Sequence, residues 1–350
     1  MRFLVDICHP GHVHFFRHAL ARLRREGHDV VVTARDKDVT VPLLEAFGIE
    51  HTVLSAVGRH RFSLYMEYAR RLPALIGLVR RIRPDLLAGV AGTFIVPTAR
   101  ITGTPSLVFT DTEHATFDRL VTYPWANRIC TPEAFVGDLG RGHHRYRGLH
   151  ELSYLHPGHF QRNGGVAAAL GLKEGERFSV LRFVSWQASH DRGERGFSTP
   201  LKVKAVEALG RHGRVFISAE GDLPPELAHL ALRLPPHRLH AVLALASLYL
   251  GEGATMATEA ALLGTPSVYV SSLVGSMGNF EILQKENLVL SFRDGEAAIA
   301  QAEALLADKG VKAAWQARAA SFAGRHIDVA DYVHGQMMAV ASLAKDRSAG

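Results

Sequence analysis

Cysteine is scarce in this sequence, and long apolar runs do not occur in it. Only two cysteines, Cys8 and Cys130, are present among the 350 residues, which excludes a disulfide framework and is typical of a reducing compartment. No run of about 18 apolar residues is found, so we expect no membrane-spanning helix. Residues 2–7 read RFLVDI and predict a strand rather than a secretory signal. These features together predict a cytoplasmic protein.

Acidic side chains are outnumbered by basic ones, 34 against 40, which gives a formal net charge of +6. This balance favours anionic partners such as nucleotides, sugar phosphates or an acidic membrane surface. The basic residues are mostly arginines spread through predicted helices. They do not alternate with aromatic residues as in RNA-binding proteins, so we expect no nucleic-acid partner.

Short apolar runs alternate with longer amphipathic ones along the whole chain, and no repeat is visible. We predict strands at 2–7, 29–34, 85–89, 106–110, 127–131, 178–185, 214–220, 248–252 and 266–270. We predict helices at 12–26, 200–212, 239–246, 256–263, 296–307 and 328–345. Apolar strands alternating with helices indicate an α/β protein with parallel sheets covered by helices.

The length suits two domains. We predict Rossmann-like domains at 1–150 and 178–327, a linker at 151–177, and a C-terminal helix and tail at 328–350 that docks on one domain. The linker is inferred from the scarcity of strand signals and the presence of Gly, Pro and His. We expect two such domains to face a cleft that binds ligand at the carboxyl ends of the strands.

The most informative segment is GEGATMATEAALLGTP at 251–266. A strand ends at Glu252, the small residues Gly253 and Ala254 follow, and a helix opens near Thr255 and Met256. Small residues let a phosphate approach the backbone, and a helix N-terminus stabilises its charge. Glu259, one turn into the helix, could accept hydrogen bonds from two ribose hydroxyls. The alternative is a tight strand–helix turn with an incidental glutamate.

This segment resembles the donor-site motif of glycosyltransferase-B enzymes. It is similar to the motif in the peptidoglycan N-acetylglucosaminyltransferase and in the non-hydrolysing UDP-N-acetylglucosamine 2-epimerase. The resemblance implies that Gly253, Ala254 and Thr255 meet the diphosphate and that Glu259 meets the ribose. It also implies a glycosyltransferase-B-type fold, with the nucleotide-sugar on the second domain and the acceptor on the first.

A resemblance over nearly the whole chain is to the family called domain of unknown function three-five-four. It is carried by segments that include HPGHVHFFRHAL, FTDTEHA, CTPEAF, GLHELSYLHP, LRFVSWQASHD, ISAEG and GEGATMATEAALLGTP. The family is expected to be glycosyltransferase-B-like and has no settled substrate. The resemblance therefore predicts the fold more firmly than the reaction.

The loop after the first predicted strand contains Gly11 and His12. Gly11 permits a tight turn, and in glycosyltransferase-B enzymes this loop faces the acceptor and the sugar. A histidine there could act as a general base, because its ordinary pKa lies near neutrality; the alternatives are a capping or hydrogen-bonding role. His14 and His18 have the spacing of a zinc pair but no third ligand, so we expect no metal.

Polar residues also follow the strand at 106–110. Asp111, Glu113 and His114 lie where a strand's carboxyl end faces a ligand crevice, and they could bind sugar hydroxyls or transfer a proton. The alternative is a polar loop in which an Asp or Thr caps the next helix.

Arg182 lies in an otherwise apolar predicted strand, where its charge requires an anion or a neighbouring carboxylate. Ser185 and Trp186 follow it, and Ser218 and Glu220 end the next strand, where glycosyltransferase-B enzymes often meet the base. We therefore count these residues, with Glu252, as candidates for nucleotide binding. The equally open alternative is an internal ion pair between Arg182 and Glu220 or Glu252.

The favoured function is metal-independent transfer of a sugar from a nucleotide-sugar, expected to be UDP-linked, with no cofactor. Surface-polysaccharide or glycoconjugate synthesis would be its setting. A nucleotide-sugar 2-epimerase or hydrolase is the alternative, weakened because Ala91 and Gly92 stand where such epimerases carry an aspartate. A non-catalytic nucleotide-sugar-binding protein is the third possibility.

Residues 64–83 combine apolar side chains with five arginines. Such a segment can lie on an anionic bilayer and meet a lipid-linked acceptor. The favoured alternative is a Rossmann helix with its arginines in water. Pro73 interrupts the pattern and suggests two short helices.

Overall fold

The computed structural model describes residues 1–56, 58, 63–113, 118–161, 165–184, 197–271 and 278–349. The chain forms two compact units. The first domain comprises Met1–His159 and His326–Gly350, and the second domain comprises Phe160–Arg325.

The first domain is built on a parallel sheet whose strands alternate with helices. In chain order its elements are β1 (Arg2–Ile7), α1 (Pro10–Arg25), β2 (Asp29–Asp36), α2 (Thr40–Ala46), β3 (Thr52–Ala56), α3 (Ser63–Ile82), β4 (Leu86–Val90), α4 (Ile95–Thr102), β5 (Ser106–Phe109), β6 (Arg128–Pro132), β7 (His143–Tyr146) and α5 (Leu152–Leu155). The strand order is β3-β2-β1-β4-β5-β6-β7. β1 pairs with β2 on one side and β4 on the other, which makes the carboxyl ends of β1 and β4 the switch point where such sheets bind ligands.

The second domain is also built on a parallel sheet whose strands alternate with helices, but the sheet is smaller. Its elements are α6 (Gly165–Ala169), β8 (Phe178–Phe183), α7 (Thr199–Gly210), β9 (Arg214–Ala219), α8 (Leu239–Leu245), β10 (Leu248–Gly251), α9 (Ala254–Leu262), β11 (Ser267–Val270), α10 (Gly278–Lys285), β12 (Val289–Phe292), α11 (Gly295–Ala307) and α12 (Val311–Gly324). The strand order is β12-β11-β10-β8-β9. Its switch point lies between β8 and β10, because β8 pairs with both β9 and β10.

The C-terminal helix α13 (Val329–Ala349) returns to the first domain, where it packs on α1 and α5. Val329, Val333 and Met337 recur at intervals of four and are fully buried. The segment 151–177, interpreted from the sequence as a linker, divides between the domains at His159. Its first part forms α5, whose residues are buried in the first domain.

All nine strands predicted from apolar runs are confirmed. In the described part of the chain, β3, β7 and β12 were not predicted, and each lies at the edge of its sheet. β3 is mostly exposed, and β7 reads HHRY. Exposure at β3 and polar side chains at β7 weaken the apolar signal that central strands give, as is common at sheet edges, whereas β12 reads VLSF, an apolar run that was not predicted as a strand.

Residues 63–82 form one helix, so the prediction of two short helices is wrong. Pro73 lies inside α3 and is exposed, and the missing backbone hydrogen bond is tolerated there. The buried residues Arg71, Leu75 and Val79 lie on one face on both sides of the proline. Packing along this face holds the helix together.

A buried charge network joins α3 to the sheet. Arg71 is fully buried, and its guanidinium donates to the Asp6 carboxylate, to the Ala34 carbonyl at 3.0 Å and to Ser55 Oγ at 2.7 Å. Asp6 Oδ1 also accepts the Thr33 hydroxyl at 2.6 Å. A buried charge is tolerated only when it is paired and hydrogen-bonded, as it is here.

We predict that Arg71→Met destabilises the first domain by about 3–5 kcal/mol, because it leaves the Asp6 carboxylate buried without its counter-charge. The double variant with Asp6→Asn should recover much of this loss. Arg81→Met, at an exposed arginine of the same helix, should change stability by less than about 0.5 kcal/mol. Denaturant unfolding measures all three, and equal midpoints for the single variants would contradict the prediction.

Candidate functional site

The turn between β10 and α9 lies at the switch point of the second sheet. A Cβ atom on Gly251 would come within 2.6 Å of Arg182 Cβ on the neighbouring strand. A Cβ atom on Gly253 would lie 3.2 Å from Arg182 Cγ. The backbone and stem of Arg182 therefore explain Gly251 and leave little room for a side chain at Gly253, and contact of Gly253 with a phosphate stays a prediction.

No side chain in the described part of the chain caps the N-terminus of α9. Gly253 is its N-cap residue and supplies no side-chain acceptor, and no acidic residue stands in the first turn. Thr255 is exposed, whereas Met256 is buried and can offer a ligand only its backbone N–H. The free N–H groups of a first helical turn and the helix dipole together favour negative charge.

Glu259 lies buried within the second domain. Its Oε1 is 3.0 Å from His240 Nε2 on α8, and the side chains of both residues are more than nine-tenths buried. The carboxylate thus has a structural partner, which the sequence did not predict. Contact of Glu259 with a ribose stays a prediction.

Arg182 forms the internal ion pair that the sequence left open. Its guanidinium donates to Ser218 Oγ at 2.8 Å and to Glu220 Oε1 at 2.5 Å. These contacts join β8 to the carboxyl end of β9. Arg182, Ser218 and Glu220 therefore meet each other, and their contact with a nucleotide stays a prediction.

Glu252 uses both carboxylate oxygens on backbone N–H groups. Oε2 accepts from Val184 at 3.1 Å and Oε1 accepts from Phe197 at 2.6 Å. Val184 follows β8 directly and Phe197 precedes α7, so one buried carboxylate fixes two points of the chain that are distant in sequence. Ser185 and Trp186 lie outside the described residues.

In the first domain, the loop after β1 caps α1 with a histidine. His9 Nδ1 accepts the Gly11 N–H at 3.2 Å, so Gly11 lies in the first turn of α1 and donates to the capping histidine. His12 Nδ1 accepts the Cys8 N–H at 3.3 Å. Burial, with a further contribution from His9, lowers the pKa of His12 well below its ordinary value.

This arrangement determines what His12 can do. A neutral imidazole whose Nδ1 accepts a hydrogen bond carries its proton on Nε2. His12 therefore offers a ligand an N–H donor, whereas a general base needs a free lone pair. The expected role of His12 as a base does not fit this geometry, and a ligand-binding role does.

Asp111 lies just beyond β5, with its side chain 28% exposed. Its Oδ2 is 3.4 Å from His150 Nδ1, and its Oδ1 accepts the Thr112 hydroxyl at 3.3 Å. Glu113 Oε1 is buried and has no hydrogen-bond partner in the described part of the chain. His114 lies outside the described residues.

His150 is the residue that the sequence analysis missed. It lies after β7 and is 8% exposed, with Phe15 at 4.5 Å between ring centroids and Tyr146 in a parallel ring at 6.3 Å. Burial lowers the pKa of His150, and Asp111 opposes this shift. The sequence signal available for His150 was the segment GLHELSYLHP, which contains it. Because β7 was not predicted, no feature of the sequence placed this segment beside Asp111.

The loop after β4 completes the switch point of the first sheet. Ala91 and Gly92 both have positive φ, 65° and 80°, a conformation that is uncommon for alanine. A Cβ atom on Gly92 would lie 2.7 Å from Val108 Cγ2 on β5. The turn itself carries no carboxylate, but Thr93, which follows it, donates its hydroxyl to Asp118 Oδ1 at 2.9 Å, and burial raises the pKa of Asp118.

Across the described ranges, no helix is both long and apolar enough to cross a membrane. Among the same residues, no group of three or more His, Cys, Asp or Glu side chains is placed to hold a metal ion.

We predict that Glu252→Gln destabilises the second domain by about 1–3 kcal/mol, because an amide nitrogen cannot accept a hydrogen bond and one buried N–H loses its partner. Hydrogen exchange should quicken at the Val184 or Phe197 amide. Glu220→Gln is the matched control, since the Glu220 side chain is 44% exposed and surface ion pairs contribute about 0–1 kcal/mol. Exchange at both amides equal to that of the wild type would refute the role of Glu252.

Comparisons with known proteins agree with the architecture. A solved structure assigned as a UDP-N-acetylglucosamine 2-epimerase from Listeria monocytogenes has a TM-score of 0.68 at 13% identity and covers 95% of this chain and 94% of its own. The glycosyltransferase VinC in complex with dTDP has a TM-score of 0.62 at 16% identity and covers 98% and 100%. At these identities the likeness shows the fold, which is of the glycosyltransferase-B type with two Rossmann-like domains.

The sequence matches extend this result. An uncharacterised protein of Methanocaldococcus jannaschii is 23% identical over 287 residues, which cover 77% of this chain and 82% of that protein. The model of the family described as protein of unknown function DUF354 matches residues 1–314. The chain therefore belongs to the DUF354 family.

Proposed function

We propose that this protein is a glycosyltransferase that uses a nucleotide-sugar donor, in the synthesis of a surface polysaccharide or glycoconjugate. The observation that carries the proposal is the uncapped N-terminus of α9 at the switch point of the second sheet. The likeness in fold between this protein and VinC, a glycosyltransferase solved with dTDP, supports the proposal. In this proposal UDP is the expected nucleotide.

The donor diphosphate would lie against the first turn of α9. The N–H groups of Ala254, Thr255 and Met256 would donate to phosphate oxygens, and the helix dipole would stabilise the charge that the leaving nucleotide gains. Arg182 is held by Ser218 and Glu220, so we assign it a supporting position beneath the turn. No metal is needed for this arrangement to stabilise the leaving group.

The first domain would bind the acceptor. His12 would donate a hydrogen bond through Nε2, and the carboxylates of Asp111 and Glu113 would bind or deprotonate the acceptor hydroxyl. These residues follow β1 and β5, at the carboxyl edge of the first sheet.

A nucleotide-sugar 2-epimerase or hydrolase is the second candidate, favoured by the fold likeness to the Listeria protein. Ala91 and Gly92 carry no side chain that could transfer a proton, which weighs against the epimerase, although Asp118 accepts the hydroxyl of the neighbouring Thr93 at 2.9 Å and is the carboxylate that an epimerase would use here. A non-catalytic nucleotide-sugar-binding protein would share the donor turn. Product analysis with purified protein and a panel of nucleotide-sugars separates these possibilities.

We predict that Thr255→Glu weakens binding of UDP or dTDP by at least about tenfold, or 1.4 kcal/mol. A carboxylate in the first turn of α9 repels a diphosphate. The same carboxylate interacts favourably with the helix dipole and stabilises the helix by roughly 0.3–1 kcal/mol. The melting temperature should therefore stay unchanged or rise slightly. Isothermal titration calorimetry in EDTA measures the affinity.

The control for this variant is Ala313→Glu, in the first turn of α12. The neighbouring Lys312 donates to the Ala246 carbonyl and to Thr265, just before β10 and β11, so this charge is added at the opposite edge of the sheet. It should leave affinity unchanged. Equal affinity in Thr255→Glu and the wild type would overturn the donor assignment, and rescue of binding by magnesium after EDTA would overturn metal independence.

We also propose peripheral contact of α3 with an anionic membrane, where a lipid-linked acceptor would be met. Tyr65 is 76% exposed and Met66 is 52% exposed, and Arg70, Arg80 and Arg81 are exposed on the same helix. Exposed apolar side chains beside arginines suit an acidic lipid surface. Arg71 is buried in the ion pair with Asp6 and takes no part.

We predict that the protein sediments with acidic liposomes at low salt and is released at high salt, since the screening length falls from about 10 Å at 0.1 M to about 3 Å at 1 M. Arg81→Glu should reduce sedimentation. Arg25→Glu, at an exposed arginine in the last turn of α1, is the control and should not. Failure to sediment at low salt would leave α3 with a packing role alone.

A further inference from the structure

The segment from Tyr146 to Ser153, which contacts Asp111 through His150, contains several buried polar atoms. Tyr146 Oη, His150 Nε2 and Ser153 Oγ have no hydrogen-bond partner among the residues that the structure describes. All three residues are buried. Buried polar groups are nearly always hydrogen-bonded, so three such atoms within eight residues mark a site rather than ordinary core.

The orientation of His150 is fixed by its neighbours. Phe15 on α1 lies against the ring at 4.5 Å, and Tyr146 lies parallel to it at 6.3 Å. Nδ1 faces Asp111 Oδ2 at 3.4 Å. The carboxylate favours the tautomer with its proton on Nδ1, and burial lowers the pKa of the ring, so Nε2 is left as the unpartnered lone pair.

We propose that His150 is a positioning residue that orients the Asp111 carboxylate, and that Asp111 is the proton acceptor of the first domain. This inference rests on the proposed glycosyltransferase function. As the acceptor oxygen forms its bond to the anomeric carbon, its proton passes to Asp111. The bond from that carbon to the nucleoside diphosphate breaks, and its electron pair leaves with the diphosphate.

Three observations select Asp111 over the histidines. The Asp111 side chain is 28% exposed and can reach a ligand, whereas His150 Nε2 is buried. His12 presents an N–H donor, because its Nδ1 already accepts from Cys8. The titratable groups that act on this cluster are those next to Asp111 and His150 and those next to Tyr146: His12 on α1, Asp111 after β5, Tyr123 before β6, Tyr146 on β7, Glu151 beside α5, Cys130 on β6 and Tyr332 on α13.

The pairing of His150 with Asp111 is tested first by a measurement that needs no enzyme assay, an NMR pH titration of the His150 ring. The carboxylate raises the pKa of His150 against the effect of burial, so in Asp111→Asn the midpoint of the His150 titration should move to lower pH. An unchanged midpoint would overturn the pairing. This experiment decides the pair whether or not the protein proves to be a transferase.

The positioning role is tested by kinetics with the donor that the nucleotide-sugar panel identifies. His150→Phe keeps an aromatic ring between Phe15 and Tyr146 but removes the donor, and we expect kcat to fall by about 10²-fold with the donor KM unchanged. The acid limb of the kcat profile should move to higher pH, because a carboxylate without its donor takes up a proton more readily. His150→Asn places an amide N–H where Nδ1 stood and should restore most of the rate.

His334→Phe is the control. His334 is also buried and lies 2.6 Å from a carboxylate, that of Glu26, so the same substitution carries a similar loss of stability. It should leave kcat and its pH profile unchanged. A wild-type rate in His150→Phe, or equal losses in His150→Phe and His334→Phe, would overturn the proposal. Absence of turnover in the wild type would instead count against the proposed function.

Discussion

The guanidinium of Arg71 has no contact with solvent, yet it carries a full charge inside the first domain. It contacts Asp6 on β1, the carbonyl of Ala34 on β2 and Ser55 on β3, so one side chain of α3 is bonded to three successive strands. A buried charge that loses a partner is strongly destabilising. The position of α3 along the sheet is therefore set by the Arg71–Asp6 pair. Apolar packing at Leu75 and Val79 extends the contact between the helix and the sheet.

The same pair reaches the candidate site. Cys8 directly follows β1, and its sulfur lies 3.3 Å from Asp6 and 3.7 Å from Arg71. The Cys8 N–H then donates to His12. The conformation of the loop at the switch point thus depends on a charge network inside the sheet. In the second domain the buried carboxylate of Glu252 likewise fixes the chain near the candidate site. It accepts the N–H groups of Val184 and Phe197 beside the turn that precedes α9.

The central strands and the architecture of two Rossmann-like domains could be predicted because both depend on local composition. Strands covered on both faces read as apolar runs, and the helices between them have one apolar face. Of the edge strands that were not predicted, β3 is largely exposed and β7 is polar, whereas no such reason applies to β12, which reads VLSF. The candidate donor turn was also predictable, since a strand end, small residues and a helix start are adjacent in sequence. Its contacts were not, because Arg182 reaches Gly253 and Glu220 only through the pairing of β8 with β9 and β10.

The chemical roles of the histidines lay furthest from prediction, because they depend on which ring nitrogen is engaged. His9 and His12 accept backbone N–H groups through Nδ1, whereas His150 turns Nδ1 to a carboxylate. The first arrangement turns His12 into a donor. The second turns His150 into a support for Asp111, and burial keeps its own lone pair from a ligand. A motif shows that a histidine stands after a strand, but which ring nitrogen can still accept a proton depends on contacts that only the folded chain makes, and this is why the proposed base is Asp111 rather than a histidine.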